Sequence, residues 1–347
     1  MTRSPEESAD AAGGRLQRLG SAGGRLELGA EELAYAARAG SANTVKGYRS
    51  DWAEWTSWCT AHEIDPMPAD PVAVAVAVAV AVAKYLTGLA RYGAKVGTMS
   101  RRLSSIRFAE KAAGVSSQLD DAIVQTVWEG IRRTHGAPPE QSLPIMPPLL
   151  WAMLEATPTV FADAEPSLSG LRDHALLLVG FVGAMRRSEL AALDVEHLEA
   201  HEKGLVLHIP RSKVNQTGET DELVVLPSST TPGRCPVAAI LAWRRAAEID
   251  TGPLLRGLTR TAQPRPSRMS DGSINMLVKQ AVARTGTDPA PYSAHGLRTG
   301  FVTYANLMGQ SDRSIARQTR HRSLASLDPY VRIHDAWTNN AAVELRT

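Results

Sequence analysis

The sequence predicts a mainly α-helical chain in two parts: a helical N-terminal domain, and a mixed, mostly helical second domain that holds one small β-hairpin. Three observations predict it. Apolar residues recur at helical spacing along most of the 347 residues, a proline-rich stretch (THGAPPEQSLPIMPP) divides the chain, and β-rich runs are confined to two short segments around a turn-prone one. With 44% hydrophobic residues the chain can bury two cores. The expected organisation is a flexible arm over 1–41, a helical domain over 42–135, a linker over 136–147, and a second domain over 148–347 that ends in a tail.

The first helix is expected from Asn43 to about Ile64, where Val45, Tyr48, Trp52, Trp55 and Cys59 share one face and Lys46 and Arg49 the other. Such an aromatic stripe usually faces a core and does not serve as a base-stacking platform. PMPADP then breaks the helix. Val72 to Ala83 is a sixfold Val-Ala repeat. Its period of two imitates a buried strand, but alanine favours helix, KYLTGLARYG continues as one, and twelve residues are too few to span a membrane. As a helix, alternation by two turns each valine by about 200° from the last, so the repeat selects no face of its own.

Between Lys84 and Lys111 seven cations (Lys84, Arg91, Lys95, Arg101, Arg102, Arg107, Lys111) oppose one acid, Glu110, and Thr98 and Ser100 stand at the start of another helix. This is a basic patch of the kind that binds phosphate backbones, although a solvated helix face has the same composition. A helix over Asp120–Arg133 closes the first domain.

In the second domain, helices are expected over Leu149–Ala156 and Leu171–Val182, the latter apolar enough to be central. It leads to Gly183-Ala184-Met185-Arg186, with Glu189 three residues on to orient the arginine. Strands over Leu205–Ile209 and Glu222–Leu226 flank RSKVNQTGET, which would carry Lys213 at a hairpin. Further on, Ser293 suits an N-cap and Gly309 a helix end, with Leu297, Phe301, Val302, Ala305 and Met308 on the apolar face between them. His295 and Arg298 share another face of that helix.

An HxxR pair alone carries little. Here it is followed by His321 and, nine residues later, Tyr330, with Arg313, Arg317, Arg320, Arg322 and Arg332 around them and two opposing acids, Asp312 and Asp328. That density of cations suits a phosphate.

The remaining composition narrows the class. A net charge of +2 puts any nucleic-acid surface in local clusters. Cys59 and Cys235, without CxxC or CxxH spacing, read as reduced thiols of a cytosolic protein. No apolar h-region of a signal peptide occurs in the first forty residues. His197 and His201 do not form HExxH and have no evident third ligand. With no Walker loop, GxGxxG or GxSxG either, neither metal nor cofactor is expected.

Taken in order, Arg186, Lys213, His295, Arg298, His321 and Tyr330 make an R…K…HxxR…H…Y series. It resembles the tyrosine site-specific recombinases of the phage-integrase family, and the whole arrangement is most similar to the Cre-type members. The likeness runs from about Asn43 to Arg332 and rests on WTSWCTAHEIDPMPADP, the basic helix after TGLARYG, GAMRRSELAAL, LHIPRSK, SAHGLRTGF and the terminal tyrosine. Arg320 stands where many members have glycine, Pro329 directly precedes the tyrosine, and the Val-Ala run lengthens an N-terminal helix.

The resemblance implies a SAM-like helical core-binding domain and a tyrosine-recombinase catalytic domain closing around double-stranded DNA. Lys46, Arg49, Lys95, Thr98, Arg101, Arg102 and Arg211 would contact the DNA. It also implies a homotetramer on two DNA sites, with no membrane, metal or ATP involved. Tyr330 would be the nucleophile of a 3′-phosphotyrosine intermediate and Lys213 the acid for the leaving 5′ oxygen. Arg186, Arg298, His295 and His321 would stabilise the phosphate, with Glu189 supporting Arg186. Such residue types are needed because the scissile phosphodiester gains charge in its transition state, which fixed cationic donors answer. A type IB topoisomerase and a catalytically silent DNA-binding relative are the alternatives.

Overall fold

The computed structural model describes residues 42–67, 75–113, 117–138, 141–157, 167–209, 222–321 and 323. The chain separates into two compact units, Met1–Glu140 and Gln141–Thr347.

In the first unit α1 (Ala42–Ala61), α2 (Ala75–Arg91), α3 (Val96–Ala112) and α4 (Ala122–His135) surround one apolar core. Trp55 and Cys59 of α1 are fully buried, and Trp52 and Trp58 pack against the same cluster, so the aromatic stripe faces inward. Burial pushes the Cys59 thiol up to about 12, with Asp65 adding to the effect, which leaves it protonated and inert at neutral pH. Helix α2 contains the described part of the Val-Ala repeat. A repeat without a face of its own acquires one from its surroundings: Val78, Ala79, Ala81, Val82 and Ala83 are buried, while Ala77, Lys84, Thr87 and Arg91 form the solvent edge. A helix apolar all round is stable only when neighbours cover most of it, and α4 and α3 do so. Asp121 caps α4, its carboxylate accepting from Ile123 N at 2.8 Å.

The second unit is organised about α6 (Leu168–Val182), in which Ala175 through Phe181 are all buried. Packed with it are α5 (Pro147–Glu155), α7 (Arg187–Ala192), α8 (Pro236–Ala246), α9 (Asp271–Arg284), α10 (His295–Leu307) and α11 (Asp312–Thr319). Strands β1 (Leu198–His201), β2 (Gly204–Ile209) and β3 (Glu222–Pro227) form an antiparallel sheet in that order. Leu205 opposite Leu226 and Leu207 opposite Val224 face the core, and Leu223 and Val225 face out. Sequence reasoning missed β1, whose LEAH is mostly exposed and lacks alternation. It also missed the ribbon of β4 (Arg256–Leu258) and β5 (Pro264–Arg268), where PRPSR carries charge and proline.

Two further expectations change. Ser293 is not the N-cap of α10. Ala294 occupies that place, and the Ser293 hydroxyl, one residue earlier, accepts from His295 N at 3.3 Å. Met308, placed on the apolar face by spacing, is 61% exposed beyond the last turn. Gly309 does end the helix, with φ of 76° and its N–H bonded to Asn306 O. The second half of the proline-rich stretch is part of this unit: Leu143 N donates to Pro291 O and Ile145 N to Gly296 O. A Cβ at Gly300 would stand 2.0 Å from Ile145 O, so this strap lies against α10 because a glycine makes room.

Candidate functional site: a guanidinium and imidazole cluster

Helix α6 ends in a turn that local sterics dictate. A Cβ at Gly183 would lie 2.7 Å from Val179 O, and Ala184 adopts φ of 45°, in the left-handed region where a Cβ is strained. The strained residue aims its carbonyl at a cation: Arg298 Nη1 donates to Ala184 O at 2.7 Å. Arg298, on α10, is only 2% exposed. Its Nη2 donates to Thr319 O and, at 3.1 Å, to His321 Nε2. Backbone carbonyls therefore solvate this guanidinium without cancelling its charge.

His321 follows α11. With Nε2 accepting from Arg298, Nδ1 carries the hydrogen and donates to Thr319 Oγ1 at 2.7 Å, while the threonine hydroxyl donates to Ile315 O. Burial first, then the charges of Arg298, Arg186 and Arg320, with His295, hold His321 down to about 4. The imidazole is neutral at pH 7.

Arg186 occupies the N-cap of α7. Glu189 accepts from Arg186 N at 2.9 Å and from its Nη1 at 2.6 Å, one half of a capping box with an ion pair in place of the other half. Glu189 is buried, which alone would raise its carboxyl, but Arg320 and Arg186 outweigh burial and hold it below the usual range. His295 is exposed as the first residue of α10.

The fold thus brings Arg186, Arg298 and His321 into one cluster that His295 reaches electrostatically. Lys213, Tyr330 and Arg211 lie outside the described residues. Sequence reasoning missed Thr319, which sets the His321 tautomer, and the carbonyl of Ala184. A short polar residue two positions before a histidine is no signal by itself, and a carbonyl has none. His197 Nδ1 accepts from Asp194 N, a capping role. Among the described residues no group of three or more potential metal ligands occurs.

In the first unit Lys46 and Arg49 are exposed on α1, Lys95 is exposed at the N-cap of α3, and Thr98 is half-buried in its first turn. Arg101 and Arg102 are engaged inside the unit. Arg101 makes a two-pronged pair with Asp51 at 2.8 and 2.9 Å, and Arg102 pairs with Glu54 and donates to Tyr85 Oη.

Two guanidinium groups and a neutral imidazole thus converge on a mostly helical frame. The model of the phage integrase family matches residues 155–336, over half of the chain. The chain belongs to that family and is a tyrosine recombinase, an enzyme of site-specific recombination. An integrase/recombinase XerD homolog of Selenomonas ruminantium is 32% identical over 302 residues, which are 86% of this chain and 84% of that one. The tyrosine recombinase XerC of Xanthomonas axonopodis pv. citri (strain 306) is 25% identical over 306 residues, 84% and 87% of the two chains. Among solved structures, the Tn1549 transposon integrase in complex with transposon right end DNA has a TM-score of 0.56 at 13% identity, over 96% of this chain and 99% of that one. A lambda integrase dimer bound to a COC′ core site has a TM-score of 0.53 at 15% identity, over 95% and 81%. These two share the fold.

Proposed function

We propose that this recombinase cleaves and rejoins double-stranded DNA with the cluster around Arg298 as its phosphate site. The observation that carries the reading is the solvation of Arg298 by carbonyls, beside an imidazole that is itself neutral. A buried guanidinium held by backbone carbonyl dipoles is suited to an anion whose charge grows during reaction. Arg186 and Arg298 each present donors to the non-bridging oxygens, and His295 and His321 add hydrogen bonds and local proton transfer. The Tyr330 oxygen attacks phosphorus and gives up its proton, the bond from phosphorus to the 5′ oxygen breaks, and Lys213 protonates that oxygen. The product is a 3′-phosphotyrosine with a free 5′ hydroxyl, which a second strand's hydroxyl reverses. No ATP or metal enters this scheme. DNA in the Tn1549 and lambda integrase complexes supports the choice of partner. We further propose a homotetramer on two DNA sites, with the tail 337–347, outside the described residues, linking subunits, and residence in the cytoplasm with the nucleoid.

A nicked random-sequence duplex library, incubated with the enzyme and then denatured, tests the nucleophile. Peptide mapping should find the DNA on Tyr330, and Tyr330→Phe should give no adduct while retaining DNA affinity. An adduct on Tyr292 or Tyr304, both packed against the core, would sink the assignment.

A further inference from the structure

Arg320 is the C-cap of α11, with φ of 57° and ψ of 44°. This left-handed conformation favours glycine, because any Cβ there is strained. An arginine held in it needs a compensating use for its side chain, and the structure supplies one: that side chain is 5% exposed. Its Nη2 donates to Glu189 Oε2, its Nε lies 3.7 Å from Glu222 Oε2, and its Nη1 donates to Gln318 O at 3.1 Å. Glu189 is the carboxylate that also grips Arg186, through the backbone N–H and through Nη1. One buried carboxylate therefore lies between two guanidinium groups that are 134 positions apart in the sequence (320 − 186).

Two consequences follow for the site. First, Arg186 Nη1 takes Glu189 Oε1, while Arg186 N and Arg320 Nη2 both donate to Oε2. With both oxygens engaged the carboxylate can rotate very little, and the geometry it imposes on Arg186 is fixed. Second, Glu222, the first residue of β3, lies on the far side of Arg320, so Arg186, Glu189, Arg320 and Glu222 form a network of two cations and two carboxylates in which each charge holds the next in place. His321, the next residue, carries the cluster's imidazole, so one backbone turn delivers both the support for Arg186 and the hydrogen-bond partner of Arg298.

We propose that Arg320 is a positioning residue for DNA cleavage, acting through the shared Glu189 carboxylate to hold Arg186 in place. This rests on the role given to Arg186 above. A double-mutant cycle separates the two claims. The probe is the duplex enriched by covalent capture from the random library, and the readout is single-turnover cleavage at saturating enzyme together with affinity. Arg320→Gly, which also relieves the backbone, should slow cleavage by roughly 10- to 100-fold with affinity within about threefold, since it disturbs one donor of the kind whose loss costs 10²–10³. In an Arg186→Ala background the same substitution should change the rate by less than about threefold, because its target is gone. Multiplicative losses, or cleavage by Arg320→Gly within about threefold of the parent, overturn the inference. Should Arg320→Gly melt below the assay temperature, Arg320→Lys, which keeps a cation but not two donors in a fixed plane, takes its place in the same cycle. If Arg186→Ala itself cleaves at the parental rate, the reading of Arg186 has failed, a result distinct from additivity in the cycle.

Discussion

The basic helix of the first unit and the cluster of the second use their arginines in opposite ways. In the first, the three arginines of α3 are paired one to one: Arg101 with Asp51, Arg102 with Glu54, Arg107 with Asp120. Asp51 is 2% exposed and its partner 56%, so a surface arginine neutralises a buried acid. In the cluster of the second unit the arginines are largely buried and share partners. Arg298 is held by two carbonyls and an imidazole, and Arg186 and Arg320 divide one carboxylate. A stretch dense in Lys and Arg is therefore not the same as a surface with charge to spare. What remains for an anion depends on whether each cation is solvated by dipoles or cancelled by carboxylates.

The sharpest way to break this comparison is at the most buried cation. Arg298→Ala removes a buried guanidinium that backbone carbonyls hold in the cluster, so single-turnover cleavage should fall by roughly 10²- to 10³-fold. It also leaves Ala184 O and Thr319 O without their donor, and urea denaturation should show a loss of roughly 2–4 kcal/mol. Unchanged cleavage would mean that the carbonyl-held guanidinium is structural only.

An intermediate effect is expected in the first unit. Arg101→Ala strands the Asp51 carboxylate and should lower stability by about 1–3 kcal/mol. Lys46→Ala and Arg49→Ala, on the exposed face of α1, should leave the denaturation midpoint where it is and weaken DNA affinity, each reducing the salt slope by about 1. If instead Arg101→Ala alters only salt-dependent affinity and not stability, the pairing with Asp51 contributes little and the contrast between the units weakens.

The smallest effect concerns His321. Its proton should bind near pH 4 in the folded chain and near 6.5 in the unfolded one. The unfolded chain takes up this proton first, so the contribution to stability is complete above pH 6.5, declines as pH falls towards 4, and is level below that. An NMR titration should place the ring's midpoint well below 6.5, and bound phosphate or DNA should raise it by offsetting the surrounding cations. A free-enzyme midpoint at 6.5 or above would show that those cations do not converge on the ring.

Much of this molecule is written locally. Apolar spacing marks α1, α6 and α10, alternation marks β2 and β3, Gly309 ends a helix, and Glu189 pairs with Arg186 three residues before it, because each depends on neighbours within one or two turns. The order Arg186, Lys213, His295, Arg298, His321, Tyr330 identifies the family without any distance being known. What lay beyond the sequence is contact between distant segments. The Arg101–Asp51 pair spans 50 positions and the Arg320–Glu189 pair 131. Whether two such residues meet is set by which faces the helices bury against each other, and no local pattern encodes that. Arg320 shows the difference most clearly. As a residue in a row of arginines it reads as one more solvated cation, yet packing seals it at 8% exposure, and at that depth a guanidinium must find carboxylates or carbonyls. Tertiary structure alone decided that one of them would be the carboxylate supporting Arg186.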